Sequence, residues 1–257
     1  DGVHTVRSPV TARSGRAVQS PALLQADKVS GLRSLTLSTG FAGKVGAATG
    51  GLKEVARSEQ TISQAAPGSV DTLAQMADAC KAGGSGVRVV NVSIPASTVV
   101  ARFETFDRDT TEGAGNDLDL LLLNSAGATV ATSATAGSNE AITLTTPAAG
   151  SYKVCVIGYE LANGASTGFG LSSAVVTTAD KGGNLKASLP SKVYVGGSAT
   201  AGVSWSGLET GKRYLGGVVF LDGNNAAAST TVLSVETNNP LPLAVPSQRK
   251  VKADAKL

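Results

Sequence analysis

Asp117-Leu118-Asp119-Leu120-Leu121-Leu122 is the stretch on which the fold turns. Read at a period of two, Leu118, Leu120 and Leu122 share one face, and Asp117, Asp119 and Leu121 share the other. A second stretch repeats the pattern. Pro147-Ala148-Ala149-Gly150 reads as a turn re-entering a strand, in which Tyr152, Val154 and Val156 oppose Lys153, Cys155 and Ile157. Alternation this regular needs one buried face per sheet, the habit of antiparallel sandwiches.

Working outward, the same texture continues. Val87–Val92, Val99–Phe106, Ala128–Ala131, Ala141–Leu144 and Gly168–Val176 read as further short strands, separated by turns rich in Gly, Asn, Asp or Pro. Their number and spacing predict a jelly-roll-like β-sandwich over 87–178. Beyond a linker, Lys181-Gly182-Gly183-Asn184, the strands Leu185–Leu189, Ala199–Trp205, Tyr214–Leu221 and Thr230–Val235 predict an immunoglobulin/fibronectin-like module over 183–238, with Trp205 anchoring its core. Residues 239–257 read as a Pro-rich, then basic tail. Residues 19–86 read as an N-terminal β region, in which Arg33–Thr39 and Lys44–Thr49 would pair as a hairpin. Val70, Leu73, Ala77 and Cys80 fall at helical spacing between Ser69 and Gly83-Gly84, giving a short helix with a structured loop as the competing reading. The fold class is all-β.

Composition excludes several functions. The chain has 257 residues, 42% hydrophobic but only 4% aromatic, and 16% charged, against about 25% in an average soluble domain. Disordered segments are poor in aliphatics and rich in charge, so this is no disordered chain. The net charge of +3 owes much to Arg249, Lys250, Lys252 and Lys256. No basic stripe with interleaved aromatics points to nucleic acid. No apolar run approaches the roughly 20 residues of a membrane span. No signal peptide opens the chain, so an export signal is expected upstream or already removed.

One histidine, His4, stands close to residue 1. A Ser-His-Asp or Cys-His site would need it as a base held by a packed third group, a poor match to that position. Walker loops, Gly-x-Ser-x-Gly elbows and Cys-x-x-Cys pairs are absent from the sequence. The expected catalytic set is therefore empty, with carboxylate chemistry as the open alternative.

Asp107, Asp109, Asp117 and Asp119, with Glu104 and Glu112, make the densest acidic stretch. Calcium takes six to eight oxygens, and these aspartates are the calcium candidates. Solvated strand-edge and loop carboxylates are the competing reading. A glycosidase pair would need aromatics to stack on a sugar, and only Phe103 and Phe106 lie near. Tyr159, Phe169 and Tyr214 could line a polymer-binding surface or pack in a core.

Three blocks resemble the C-terminal regions of secreted bacterial subtilisin-like serine proteases. Asp1-Gly2-Val3-His4-Thr5-Val6-Arg7-Ser8-Pro9-Val10 looks like the closing strand of a fibronectin-like domain, so that 1–18 would be the end of an upstream domain and its linker. Ala101–Asp107, Asn116–Leu120 and Pro147–Val154 are similar to a bacterial pre-peptidase C-terminal domain. Val203–Leu208 with Arg213–Gly216 looks like the immunoglobulin-like module that ends such proteases. The resemblance implies a non-catalytic accessory region of an exported endopeptidase, secreted or periplasmic, aiding secretion, stability or substrate binding. Its partners would be the upstream catalytic domain of the same precursor and a protein substrate. A stand-alone extracellular adhesion or polymer-binding module is the rival. Export also bears on the only two cysteines: maturing in an oxidising compartment, Cys80 and Cys155 are expected to pair, Cys155 facing away from Tyr152, Val154 and Val156.

Overall fold

The computed structural model describes residues 17–237. The chain opens with β1 (Ala17–Ser20), β2 (Leu23–Ala26), β3 (Gly31–Thr39) and β4 (Gly46–Glu54). After Val55 come β5 (Ala56–Ser63), the helix α1 (Leu73–Ala82), β6 (Val87–Ile94), β7 (Thr98–Thr105) and β8 (Asp117–Asn124). β9 (Thr129–Ser133), β10 (Glu140–Thr145), β11 (Gly150–Glu160) and β12 (Ser166–Thr177) follow. β13 (Lys186–Ser188), β14 (Ser198–Trp205), β15 (Arg213–Leu221) and β16 (Ala227–Glu236) complete the described fold.

β5 to β12 form a jelly roll. β8 pairs with β9, β7 with β10, β6 with β11 and β5 with β12, all antiparallel. One long hairpin has been rolled into two sheets, ordered β10-β7-β12-β5 and β6-β11-β8-β9. Leu118, Leu120 and Leu122 meet Tyr152, Val154 and Val156 in the core between the sheets, as their alternation requires. The opposite face of β8 and β11 is apolar too, with Leu121, Leu123, Cys155 and Ile157. α1 covers it with Met76, Ala77 and Cys80. The helix starts at a Thr72 cap, where the Thr72 hydroxyl accepts from Gln75 N–H and the Gln75 side chain accepts from Thr72 N–H; Gly83 ends it. The cap is therefore three residues later than the Ser69 expected, and Leu73 is exposed rather than inside.

The strands before and after the jelly roll form a single second sandwich. Its sheets are β1-β3-β14-β13 and β2-β16-β15-β4, and β2 runs parallel to β16. This is the immunoglobulin order, with the first strand split between the sheets. Leu35 and Leu37 from the N-terminal half share a core with Val203, Trp205, Val218 and Phe220 from the C-terminal half. The indole N–H of Trp205 donates to Lys28 O at 2.9 Å. The Tyr214 hydroxyl accepts from Glu209 N–H at 3.2 Å, the tyrosine corner of such folds.

Several expectations change here. The module expected over 183–238 is, in its described strands β13 to β16, half of a sandwich whose other half lies in 17–54, and the jelly roll occupies the connection between β4 and β13. β3 and β4 do not pair as a hairpin, because they belong to opposite sheets. The jelly roll starts at β5, not at residue 87; β5 is a polar edge strand without apolar alternation. Gly182–Asn184 is a short 3₁₀ turn rather than a free linker: a Cβ on Gly183 would stand 2.8 Å from Leu52 Cβ. Ala17–Ser20 is a strand of this sandwich, while residues 1–16 and the tail from 238 lie outside the described residues.

The two sandwiches meet face to face. Val100, Ala174 and Val176 of the jelly roll pack against Leu215 and Val232, with Val55 alongside. Close approach rests on glycines. A Cβ on Gly50 would come within 2.8 Å of Val176 Cγ1, and one on Gly217 within 2.7 Å of Val99 Cγ1.

Candidate functional site

The acidic stretch leaves the end of β7 at this junction. Asp107–Asp109 and Gly113–Gly115 are 3₁₀ turns leading into β8. Asp107 turns toward the loop between β9 and β10: Ser138 N–H donates to its carboxylate at 2.7 Å, the Asn139 amide donates to the other oxygen, and Asp107 N–H donates to Asn139 Oδ1 at 3.1 Å. Asp109 points the other way, into the junction, 3.1 Å from Arg213 and 3.5 Å from Arg57. Asp117 and Asp119 sit on β8 opposite Glu160 and Ile157 of β11, and Asp119 is fully buried. Glu104 pairs with Arg102 at 2.7 Å. Glu112 accepts from the Thr167 hydroxyl and the Asn116 amide, and the Thr167 bond holds its carboxyl below the ordinary value. These groups diverge. Among the described residues, no group of three or more His, Cys, Asp or Glu side chains is placed to hold a metal ion.

What does converge at the junction is an ion-pair network that the sequence reading missed. Arg213, from β15, reaches Asp109 across the junction, Glu236 of β16 at 3.3 Å and the Ser172 hydroxyl at 2.9 Å. Arg108 also pairs with Glu236. Both guanidiniums lie over the Phe106 ring, at 4.2 Å for Arg213 and 4.8 Å for Arg108. The members of this network lie far apart in the chain, 104 residues for Asp109 and Arg213 and 128 for Arg108 and Glu236, so no local pattern announces it.

Beside the network is an open cavity of about 200 Å³, lined by Glu54, Val55, Arg57, Ser172, Gly211, Lys212 and Arg213. Its charges are already paired. Lys212 binds Glu54 and Glu209, each at 3.0 Å, and these bonds hold the ammonium above the ordinary lysine range. Arg57 binds Glu59 at 2.9 Å. These pairs each stay within one sandwich; of the lining residues it is Arg213 that bridges the two, through Asp109 and Ser172.

The other sequence candidates fall as follows. Phe103 is fully buried and Phe106 lies under two guanidiniums, so neither opens a sugar-stacking face. Phe169 and Tyr214 are core residues and Tyr159 is half-buried against a third cluster, so of the two readings of these aromatics the structure favours packing. His4 lies outside the described residues. Cys80 and Cys155 form a disulfide with Cα atoms 6.0 Å apart, a separation suited to the bond. It pins α1 to β11.

No known family model matches the chain, and no curated protein does. Among solved structures, it is similar to a GH2 beta-galacturonidase from Eisenbergiella tayi bound to glycerol, with 11% identity and a TM-score of 0.24, over 73% of this chain and 44% of that one. The same enzyme bound to galacturonate gives 10% identity and a TM-score of 0.25, over 72% and 44%. The chain thus spans less than half the length of these structures. Likeness at that level carries no argument about activity. No helix of the described residues is long and apolar enough to cross a membrane.

Proposed function

We propose that this chain is a non-catalytic accessory region of an exported subtilisin-like serine endopeptidase, serving as a rigid two-sandwich unit attached to a catalytic domain upstream. The observation that carries the reading is the Cys80–Cys155 bridge inside an all-β chain, because such bonds persist in oxidising compartments. The block resemblance of Ala101–Asp107, Asn116–Leu120 and Pro147–Val154 supplies the protease context, and these segments lie in the jelly roll. The stabilising groups at the junction are consumed in ion pairs, which suits a scaffold. Reading the gene upstream of Asp1 tests the proposal. A subtilisin-like catalytic domain in the same frame is expected, together with no labelling of the isolated chain by a serine-directed phosphonate. An unrelated upstream sequence, or stoichiometric labelling of a serine in this chain, would sink it.

A further inference from the structure

β6 stands at the end of its sheet, paired with β11 on one side and with no described strand on the other. One hydrogen bond settles which of its backbone groups face outward. Gly158 N–H donates to Gly86 O at 3.1 Å, and these two residues continue the register in which Val87 faces Ile157. Bonded rungs alternate along an antiparallel ladder. Arg88, Val90, Val92 and Ile94 therefore bond β11, while Val87, Val89, Asn91 and Ser93 turn their N–H and C=O groups outward. The Val87 N–H is taken by Gly84 O at 3.2 Å. Among the described residues, nothing takes up the outward groups of Val89, Asn91 and Ser93.

The space on this side is open. β5, the neighbouring edge, belongs to the opposite sheet. A cavity of about 350 Å³, lined by Glu59, Gln60, Thr61 and Arg88, lies between the two edges, and Arg88 Nε crosses it to donate to Gln60 Oε1 at 2.8 Å.

Sheet edges are ordinarily defended by brevity, charge, proline or a bulge. β1, β2 and β13 have only three or four residues, and β5 carries Arg57 and Glu59. β6 has eight residues, no bulge in its ladder, and neither charge nor proline between Val89 and Ser93. It is an undefended edge.

Symmetry identifies the occupant. Val89, Asn91 and Ser93 are centred on Asn91. A second β6 laid antiparallel about a two-fold axis at Asn91 sets Asn91 opposite Asn91 and Val89 opposite Ser93, each pair exchanging both backbone bonds. Between these rungs, Val90 of one copy meets Val92 of the other. Both valines are only half-buried at the rim of the inter-sheet core, and β-branched pairs across strands are stabilising. The ends match as well. Val87, its donor already used, falls opposite Pro95, which has no N–H, and Arg88 falls opposite Ile94, so no like charges meet. A foreign strand would satisfy the backbone groups, but the valine register and the matched ends come from β6 itself.

We infer that β6 is a homodimerisation edge, joining the four-stranded sheets of two copies of this chain into one continuous sheet.

One strand pair buries less than a standard interface, so the association is concentration-dependent. Sedimentation equilibrium of chain 1–257 between about 10 μM and about 1 mM should show the average mass rising from one chain toward two. Over the same range, amide exchange at Val89, Asn91 and Ser93 should slow several-fold, while Arg88, Val90 and Val92, already bonded to β11, stay unchanged. Asn91→Lys puts two ammonium groups across the axis and should keep the chain monomeric at the top concentration. Its melting temperature should not move, because Asn91 is exposed. Asn91→Pro removes an outward donor without touching a rung to β11 and should do the same. Mixing Asn91→Lys with Asn91→Glu should restore a mixed dimer. A parent chain that stays monomeric at the top concentration overturns the inference, whatever other strand the edge accepts. So does a dimer that survives both the Lys and the Pro variants, or one that leaves the three outward amides exchanging as fast as in the monomer.

Discussion

Asp109 of the jelly roll and Arg213 of the immunoglobulin-like sandwich form an ion pair at 3.1 Å, although 104 residues separate them in the chain. The Asp109 side chain is 7% exposed and the Arg213 side chain 17%. A pair this withdrawn from water is costly to break from one side, because the remaining charge keeps its burial and loses its partner.

Asp109→Ala is therefore expected to destabilise the protein by about 3 kcal/mol. Arg213→Met alone should cost a similar amount. The double variant should lose less than the sum, and urea unfolding of the four proteins in the cycle measures the difference. Strict additivity would show that the pair does not couple the sandwiches.

Gly217→Ala tests the closeness of the two faces. Its new Cβ would meet Val99 Cγ1 at 2.7 Å, and overpacking of this kind costs about 1–3 kcal/mol. A lowered unfolding midpoint is expected, and Val99→Ala should recover part of the loss. A midpoint equal to that of the parent would mean that the faces stand farther apart.

Asp180 bears on pH. Burial works to raise its pKa, but hydrogen bonds from the Thr177 N–H and hydroxyl, with Lys53 at 3.5 Å, outweigh burial and hold the carboxyl below 3.8. A depressed folded-state pKa adds stability above the unfolded value, and the addition disappears as pH falls through the folded one. Asp180→Asn should thus be less stable at neutral pH, by an amount on the order of 1 kcal/mol. The gap should close below the ordinary carboxylate range. Thermal melts of both proteins across pH decide this, and a gap that widens in acid contradicts it.

The disulfide spans 75 residues. Chain-entropy arithmetic makes its contribution at most about 4.5 kcal/mol, so the Cys80→Ala, Cys155→Ala protein should unfold at distinctly lower denaturant. Both cysteines are buried, and alkylation of the native protein should require reductant together with denaturant. Two alkylatable thiols in unreduced, denatured protein would refute the bridge.

Calcium gives a further check. Asp107 is committed to Ser138 and Asn139, and Asp109 to Arg213 and Arg57. Exchange of chelator for millimolar calcium should leave the melting temperature unchanged. A rise would report a site of useful affinity, through linkage.

Where side chains alternate, the fold was legible. β8 and β11 declared their inter-sheet face through Leu118, Leu120 and Leu122 with Tyr152, Val154 and Val156, and Trp205 marked its core; the burial of their opposite face under α1 was not legible. β5 was not legible, because an edge strand such as Ala-Arg-Ser-Glu-Gln-Thr-Ile-Ser buries little on either face. Nor was the partnership of β3 with β14: strands paired across 160 residues, as at Ser38 and Ser198, leave no local trace. The acidic stretch was visible as composition, but its directions were not. Asp107 and Asp109 are two residues apart and turn opposite ways, because the 3₁₀ turn between them rotates one toward a loop and the other toward an arginine.

The nested order of the chain has a consequence for its synthesis. When β1 to β4 emerge, the strands that complete their sheets are still unmade, and everything from β5 to β12 must appear first. The inserted jelly roll needs no residue from outside itself to close its own core. Once it closes, β5 and β12 lie side by side, with Ala56 opposite Ser173. That brings the end of β4 next to the start of the return segment, where Gly51 N–H bonds Asp180 O at 2.8 Å. A closure that would span more than a hundred flexible residues becomes a short one, and its entropic cost falls accordingly. The insert thus acts as an assembly jig for its host, and synthesis from the N-terminus completes it before β13 to β16, the strands that finish the host's sheets.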